Sequence, residues 1–295
     1  MLGRRQLIPF PVKLILPSLL VILFIVIFPL FFSFYASLTP YNLLRPDTLN
    51  NFIGFRNYLL LFQDPYFWEA FGRTILFLAL VVNLELLLGL AFALLLTKIG
   101  RGSGFFRTVV MIPMMFAPVL VGFQFKYIFN DNIGLVNNFL QTISDIHAIP
   151  WLIDKILAIV SIMAAEIWYS TPIITIILFA GLMSLPQDPY EAAEVDGASS
   201  LQKFAFITWP LLSPFVYIAL AIRSLDVARA FDIVEIMTGG GPARRTELLW
   251  TYIFRKGMID ARFGMASAMS YISIIISVLV TYFFFRQLIK NRIVE

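Results

Sequence analysis

Charged side chains inside long apolar runs are the residues of this sequence best able to do chemistry. Glu85 lies beside Asn83 in one run, Glu166 stands in another, and Arg223 and Asp226 share a third. A charge in hydrocarbon is costly unless paired or hydrated, so each of these needs a partner, a wet cavity or a function. Glu166, Tyr169, Ser170 and Ile173 follow one another at i, i+3, i+4 and i+7, which puts them on one helix face. Two structural readings compete with a functional one. Glu85 can serve as an interhelix bond, and Arg223 can be neutralised by Asp226 three residues on or by Glu166 across a cavity; the functional alternative is that Arg223 pairs bidentately with a carboxylate, phosphate or sulfonate on a ligand. Covalent catalysis is not indicated: the chain has no cysteine, its one histidine is His147 in a polar loop, and no nucleophile–base pair or metal set can be assembled. The expectation is a chain with no catalytic residue, no metal and no cofactor.

A second constellation is polar and short. The stretch Leu185 to Pro214 is the one acidic, small-residue segment between two apolar runs. Asp188, Pro189 and Glu191 read as a helix start, with an N-cap acceptor, a proline in the first turn and an N3 glutamate completing a capping box. Asp196-Gly197 supplies a residue able to adopt the left-handed conformation that ends a helix, and Ser199 or Ser200 can cap a second helix through Lys203. The expected shape is helix, sharp turn, helix. Ala192, Ala193, Gly197 and Ala198 leave it little bulk, so another backbone can approach, and its acids argue for a protein partner.

The elements that must position these residues are set by composition. Of 295 residues, 60% are hydrophobic and 14% charged, with a mean hydropathy of +0.85, too apolar for a water-soluble domain of this size. The formal charge of +4 is scattered and forms no patch suited to nucleic acid. No Gly-Lys dipeptide occurs, which excludes a Walker A loop, and Gly100-Arg101-Gly102-Ser103-Gly104 reads as an interhelical turn. ATP is not hydrolysed by this chain.

Six spans are expected in a single transmembrane domain of residues 1–295: about 14–35, 74–97, 105–129, 156–184, 206–229 and 264–285, with the polar elbow at 185–205. The first is too long for a cleavable signal segment. Arg4, Arg5, Lys13, Lys98, Arg101, Arg107, Lys203, Arg286, Lys290 and Arg292 fall on one side of this arrangement, which is therefore read as cytoplasmic, with both termini and the elbow on it. Arg244, Arg245 and Arg255 sit in a long loop opposite. Pro29, Pro113, Pro118, Pro172 and Pro214 interrupt the runs, and such breaks persist in lipid where neighbouring helices or water satisfy the backbone. A bundle around a cavity follows. No internal repeat is visible, so any two-fold pseudo-symmetry requires a second subunit.

Glu191-Ala192-Ala193, Asp196-Gly197-Ala198, Trp209-Pro210 and Pro214 resemble the EAA loop of permease subunits in binding-protein-dependent ABC importers. The resemblance extends to Phe28-Pro29-Leu30, Phe52 to Tyr58, Asp64-Pro65, Ile112-Pro113, Gly134, Asn137, and Phe231-Asp232 with Thr238-Gly239-Gly240-Gly241-Pro242 and Thr246. These are similar to the MalF/UgpA-type carbohydrate branch. Arg73 and Phe125-Lys126 depart from its pattern. The resemblance implies an all-α, six-span type I permease in the bacterial inner membrane, surrounded by lipid. Its implied partners are a second permease forming a heterodimer, a cytoplasmic ATPase dimer gripping Glu191, Ala192, Ala193, Asp196, Gly197 and Ala198, and an extracytoplasmic solute-binding protein. It also implies that Glu166, Tyr169, Ser170 and Ile173, with Arg223, Val227 and Ala230, contact a sugar, glycoside or polyol. Glu166 and Tyr169 would supply the carboxylate for hydroxyl pairs and the ring for the C–H face. The rival is a proton-coupled secondary transporter relaying protons through Glu85, Glu166 and Asp226.

Overall fold

A computed structural model describes residues 10–100, 102–144 and 149–292. Arg4, Arg5, Arg101 and His147 lie outside them. All regular structure among the described residues is helical: α1 (Phe10–Ile22), α2 (Phe28–Ser37), α3 (Arg56–Phe62), α4 (Pro65–Lys98), α5 (Ser103–Met111), α6 (Pro118–Ile128), α7 (Leu135–Ser144), α8 (Lys155–Met183), α9 (Asp188–Val195), α10 (Ser200–Lys203), α11 (Trp209–Ala228), α12 (Asp232–Thr238), α13 (Leu249–Phe254) and α14 (Phe263–Arg292). The chain divides into two compact units, one holding α1 to α3 with residues 253–272, the other running from α4 to residue 252 with residues 273 onward.

Prolines decide the breaks in the long helices. A proline ring collides with the carbonyl four residues back, and two of the helices absorb this by widening the preceding turn. Before Pro29, residues Leu23–Ile27 form a turn in which the Phe28 N–H reaches Leu23 O, so α1 and α2 continue as one apolar rod. Before Pro210, residues Phe204–Thr208 do the same, joining α10 to α11. Among the described residues, five helices are long and apolar enough to cross a bilayer: Leu14–Ser37, Pro65–Lys98, Lys155–Met183, Ser200–Ala228 and Phe263–Ile289.

The expected span 105–129 is not one helix. It is divided into α5 of 9 residues and α6 of 11 residues by a short 3-10 turn at Pro113–Met115. At 1.5 Å per residue each piece covers about half of a ~30 Å hydrocarbon core. Two prolines five residues apart are the reason. Pro113 opens the turn, and Pro118 forces the preceding Ala117 out of the helical region, to φ −69° and ψ 140°.

In the first unit, residues 14–32 are exposed throughout, as expected of a helix whose solvent is lipid. The end of α2 is held by the buried Asn57, whose amide donates to Ser37 O and Thr39 O at 2.8 Å each, while Ser37 Oγ and Tyr58 OH are 2.8 Å apart. These satisfy carbonyls that a helix end leaves open. The Gly264 N–H donates to Tyr41 O, and the Leu43 N–H to Ala261 O.

In the second unit α4 and α8 form the tightest pair, and α11 packs on both. Gly89 permits this approach: a Cβ there would lie 2.7 Å from Ile174 Cγ2. The apolar core gathers Phe77, Val81, Ile162, Ala165, Val227 and Val234 around one end of this contact, and Ile174, Leu178, Leu212 and Ala219 around the other. Asp154 caps α8 by accepting from Ile156 and Leu157 N–H, both at 2.9 Å, and these donors hold its carboxyl below the usual aspartate range. Asn137 ties together the loops flanking α7, donating to Asp131 O and Ile149 O and accepting from Trp151 Nε1.

Candidate functional site

The intramembrane charges meet at one point. Arg223 on α11, its side chain 3% exposed, is gripped by Glu85 of α4 in a two-point pair, Nε to Oε2 at 2.8 Å and Nη2 to Oε1 at 2.9 Å. Nη2 also donates to Glu166 Oε1 of α8 at 2.9 Å, and Nη1 lies 3.4 Å from Asp226 Oδ2. One guanidinium therefore binds three helices together. Planar, bidentate pairing of this kind is the strongest form of ion pair, and here Glu85 is 0% exposed. Glu85, Glu166 and Asp226 converge on a single arginine rather than stepping across the bundle as a proton relay would.

A cavity of about 380 Å³ opens beside this cluster, walled by Pro118 of α6, by Glu166, Tyr169 and Ile173 of α8, by Arg223 and Asp226 of α11, and by Arg229, Ala230, Phe231, Asp232 and Ile233. Of the seven residues expected to touch a substrate, Glu166, Tyr169, Ile173, Arg223 and Ala230 line it. Ser170 and Val227 do not. Ser170 is fully buried behind the wall, its Oγ 3.3 Å from Glu166 Oε1, and Val227 points into the apolar core. Helical spacing puts a residue on a face, but a face about 100° wide has edges that pack inward. Sequence reasoning missed Glu85 as the main partner of Arg223, and missed Pro118, Phe231 and Asp232 as wall residues. The first pair is 138 residues apart, beyond any periodic signal.

The elbow folds as two short helices with a sharp turn. α9 ends in a full C-terminal cap: Gly197 sits at φ +74°, its N–H donates to Glu194 O at 3.1 Å, and the Ala198 N–H reaches Ala193 O at 2.9 Å. α10 opens with a capping box in which Ser199 Oγ accepts from the Gln202 N–H and Gln202 Oε1 accepts from the Ser199 N–H. The expected box at Asp188 and Glu191 is absent. Gln187 is already helical at φ −85° and ψ −28°, so Asp188 falls inside the first turn, where its side chain makes no cap. Both acids still lie in the first turn, the end of the dipole that favours them. Lys203 Nζ bonds Glu194 Oε1 at 2.8 Å and holds that carboxyl below its usual range, linking the two arms. Tyr190 OH donates to Thr208 Oγ1, fastening α9 to the foot of α11. Glu191, Ala192, Asp196 and Gly197 are exposed, Ala193 and Ala198 half-buried. Val195 and Leu201, 89% and 77% exposed, add apolar contact surface beside the acids that the sequence reading passed over.

On the opposite loop, Thr238 and Thr246 hydroxyls are 2.7 Å apart across the glycine turn, and Arg244 lies between the rings of Tyr66 and Tyr252 while pairing with Glu247. Arg73 joins this group, donating to Glu247 O at 3.0 Å.

Long apolar helices, a proline-broken helix, a charged cavity and a small-residue elbow define a multi-pass helical membrane protein. The match to known sequences agrees with that class: residues 85–294 fit the family described as the binding-protein-dependent transport system inner membrane component, and this chain belongs to it, as an ABC-importer permease subunit and not the ATPase. The probable ABC transporter permease protein y4oQ of Sinorhizobium fredii is 36% identical over 272 residues, 92% of this chain and 87% of its own. The trehalose/maltose transport system permease protein MalF of Thermococcus litoralis is 36% identical over 263 residues, covering 89% and 88%. A chain in the crystal structure of a bacterial ABC transporter that imports the acidic polysaccharide alginate superposes with a TM-score of 0.81 over 94% of both chains. At 22% identity that likeness shows the fold alone, an all-α multi-pass membrane fold.

Proposed function

We propose that this chain belongs to the MalF/UgpA-type carbohydrate branch and that, with a second permease subunit, it forms the translocation pathway for a sugar, glycoside or related polyol across the bacterial inner membrane. The observation that carries this reading is the cavity beside Arg223, where Glu166 offers acceptors for paired hydroxyls next to the half-buried ring of Tyr169. The trehalose/maltose permease among the relatives supports the same substrate class. The broken α5–α6 segment makes the sixth crossing, with Pro118 at its break lining the cavity. ATP is hydrolysed by a separate ATPase dimer. That dimer grips Glu191, Ala192, Ala193, Asp196, Gly197 and Ala198, and a solute-binding protein delivers ligand to the opposite loops. Closure of the ATPase dimer moves the elbow as a rigid body, and the cavity changes the side it faces.

Glu191→Lys tests this. Glu191 is exposed, so the bundle and permease pair should assemble as in the parent, while sugar uptake by the complete importer falls at least tenfold because the charge presented to the ATPase is reversed. Undiminished uptake would reject the coupling role. Topology is open to direct measurement because the chain has no cysteine of its own. In a Ser199→Cys variant an impermeant thiol reagent should react only from the cytoplasmic side, and in an Arg245→Cys variant only from outside. Labelling of both from one side would overturn the six-crossing arrangement.

A further inference from the structure

Resting on the carbohydrate reading, we infer that this cavity admits uncharged polyhydroxylated ligands and turns away those bearing a carboxylate, phosphate or sulfonate, with Glu166 and Asp226 setting that selectivity. The argument starts from what Arg223 has left to give. Each of its three guanidinium nitrogens already faces a carboxylate: Nε and Nη2 take both Glu85 oxygens, Nη2 also takes Glu166, and Nη1 faces Asp226. No fork remains for an incoming anion, and only 3% of the side chain is exposed where it lines the cavity. Arg223 is engaged by the fully buried Glu85, so the wall presents the carboxylates of Glu166, Asp226 and Asp232 with Arg229 as the exposed cation. Arg229 itself is exposed and bends back to donate to Leu225 O at 3.2 Å. The surface a ligand meets therefore carries more acidic than basic groups. It favours hydroxyl donors and opposes anions, the more strongly where water is partly excluded.

The assembled importer, reconstituted with its receptor in proteoliposomes, allows a test in two independent arms. In the first, an Ala230→Cys variant is modified with a sulfonate-bearing and a trimethylammonium-bearing methanethiosulfonate, each rate being divided by that for a free thiol. The cationic reagent should be favoured at least tenfold, and adding Asp226→Asn should reduce the preference. Asp226 is suited to this because its carboxylate is 47% exposed and its contact with Arg223 is long, at 3.4 Å. If Ala230→Cys does not assemble, Ile173→Cys probes the same wall. Equal rates, or a preference for the anionic reagent, would overturn the inference. In the second arm, uptake of maltose and trehalose is compared with that of trehalose 6-phosphate and glycerol 3-phosphate. Uptake of a neutral sugar at least tenfold faster than either anion supports the selectivity, and an anion carried within tenfold of the sugars rejects it while leaving the carbohydrate reading intact. Uptake of none of the four counts against the carbohydrate reading, and the thiol ratio then decides the charge of the cavity by itself.

Discussion

Arg223→Gln should prevent the permease from accumulating as a folded bundle. The substitution leaves Glu85, 0% exposed, with both of its charge-assisted hydrogen bonds from Arg223 gone. Breaking a buried pair by removing one member costs about 3–5 kcal/mol, against a total stability of roughly 5–15 kcal/mol for a typical domain. The loss is concentrated where α4, α8 and α11 meet, so it falls on the contacts that shape the cavity. The second substitution that relieves this strain is specific. Glu85→Gln in the Arg223→Gln background removes the stranded charge and leaves two amides able to bond each other, and should restore most of the extractable, monodisperse protein. Glu166→Gln or Asp226→Asn in the same background should restore little, because both carboxylates border the cavity while Glu85 does not. Yield after mild detergent extraction and the thermal unfolding midpoint read the outcome. Full assembly of Arg223→Gln alone would show that the cluster is not the clasp of the bundle.

The second large effect is expected at the elbow. Gly197→Pro should abolish uptake and receptor-stimulated ATP hydrolysis while the permease still enters the membrane. Gly197 holds φ at +74°, and proline fixes φ near −65°, so the turn between α9 and α10 cannot form. The same change removes the N–H that donates to Glu194 O, half of the cap that ends α9. Gly197→Ala separates this from crowding. A Cβ at this position would meet no atom within 4 Å, so alanine suffers only the left-handed backbone strain, about 1–2 kcal/mol. Uptake in Gly197→Ala should be reduced but measurable. Co-purification of the ATPase with each variant checks the cause: retained with alanine, lost with proline. Normal uptake in Gly197→Pro would remove the elbow from the transmission path.

The sequence by itself determined the membrane class, the long apolar helices and the turn between the two arms of the elbow, because these depend on energies that act within a few residues. Hydrocarbon rejects polar side chains wherever they stand, Gly197 alone tolerates its φ, and Ser199 with Gln202 needs only its own first turn to complete a capping box. Local rules also had their limits. Asp188 has the composition of an N-cap, yet Gln187 starts the helix one residue earlier. Pro113 and Pro118 were visible as interruptions, but whether lipid, water or protein would compensate them was not, and so one expected span is two short helices. The charged residues were legible as expensive, and their partners were not. Glu85 and Arg223 are joined because Gly89 lets α4 close on α8 while α11 packs across both, a consequence of side-chain volumes far apart in the chain. The same packing turned Val227 and Ser170 inward, left Glu166 and Tyr169 on the wall, and brought Asp232 and Arg229 beside them. Only the tertiary structure decided these placements, because burial is a property of the neighbours a side chain finds and not of its spacing along its own helix.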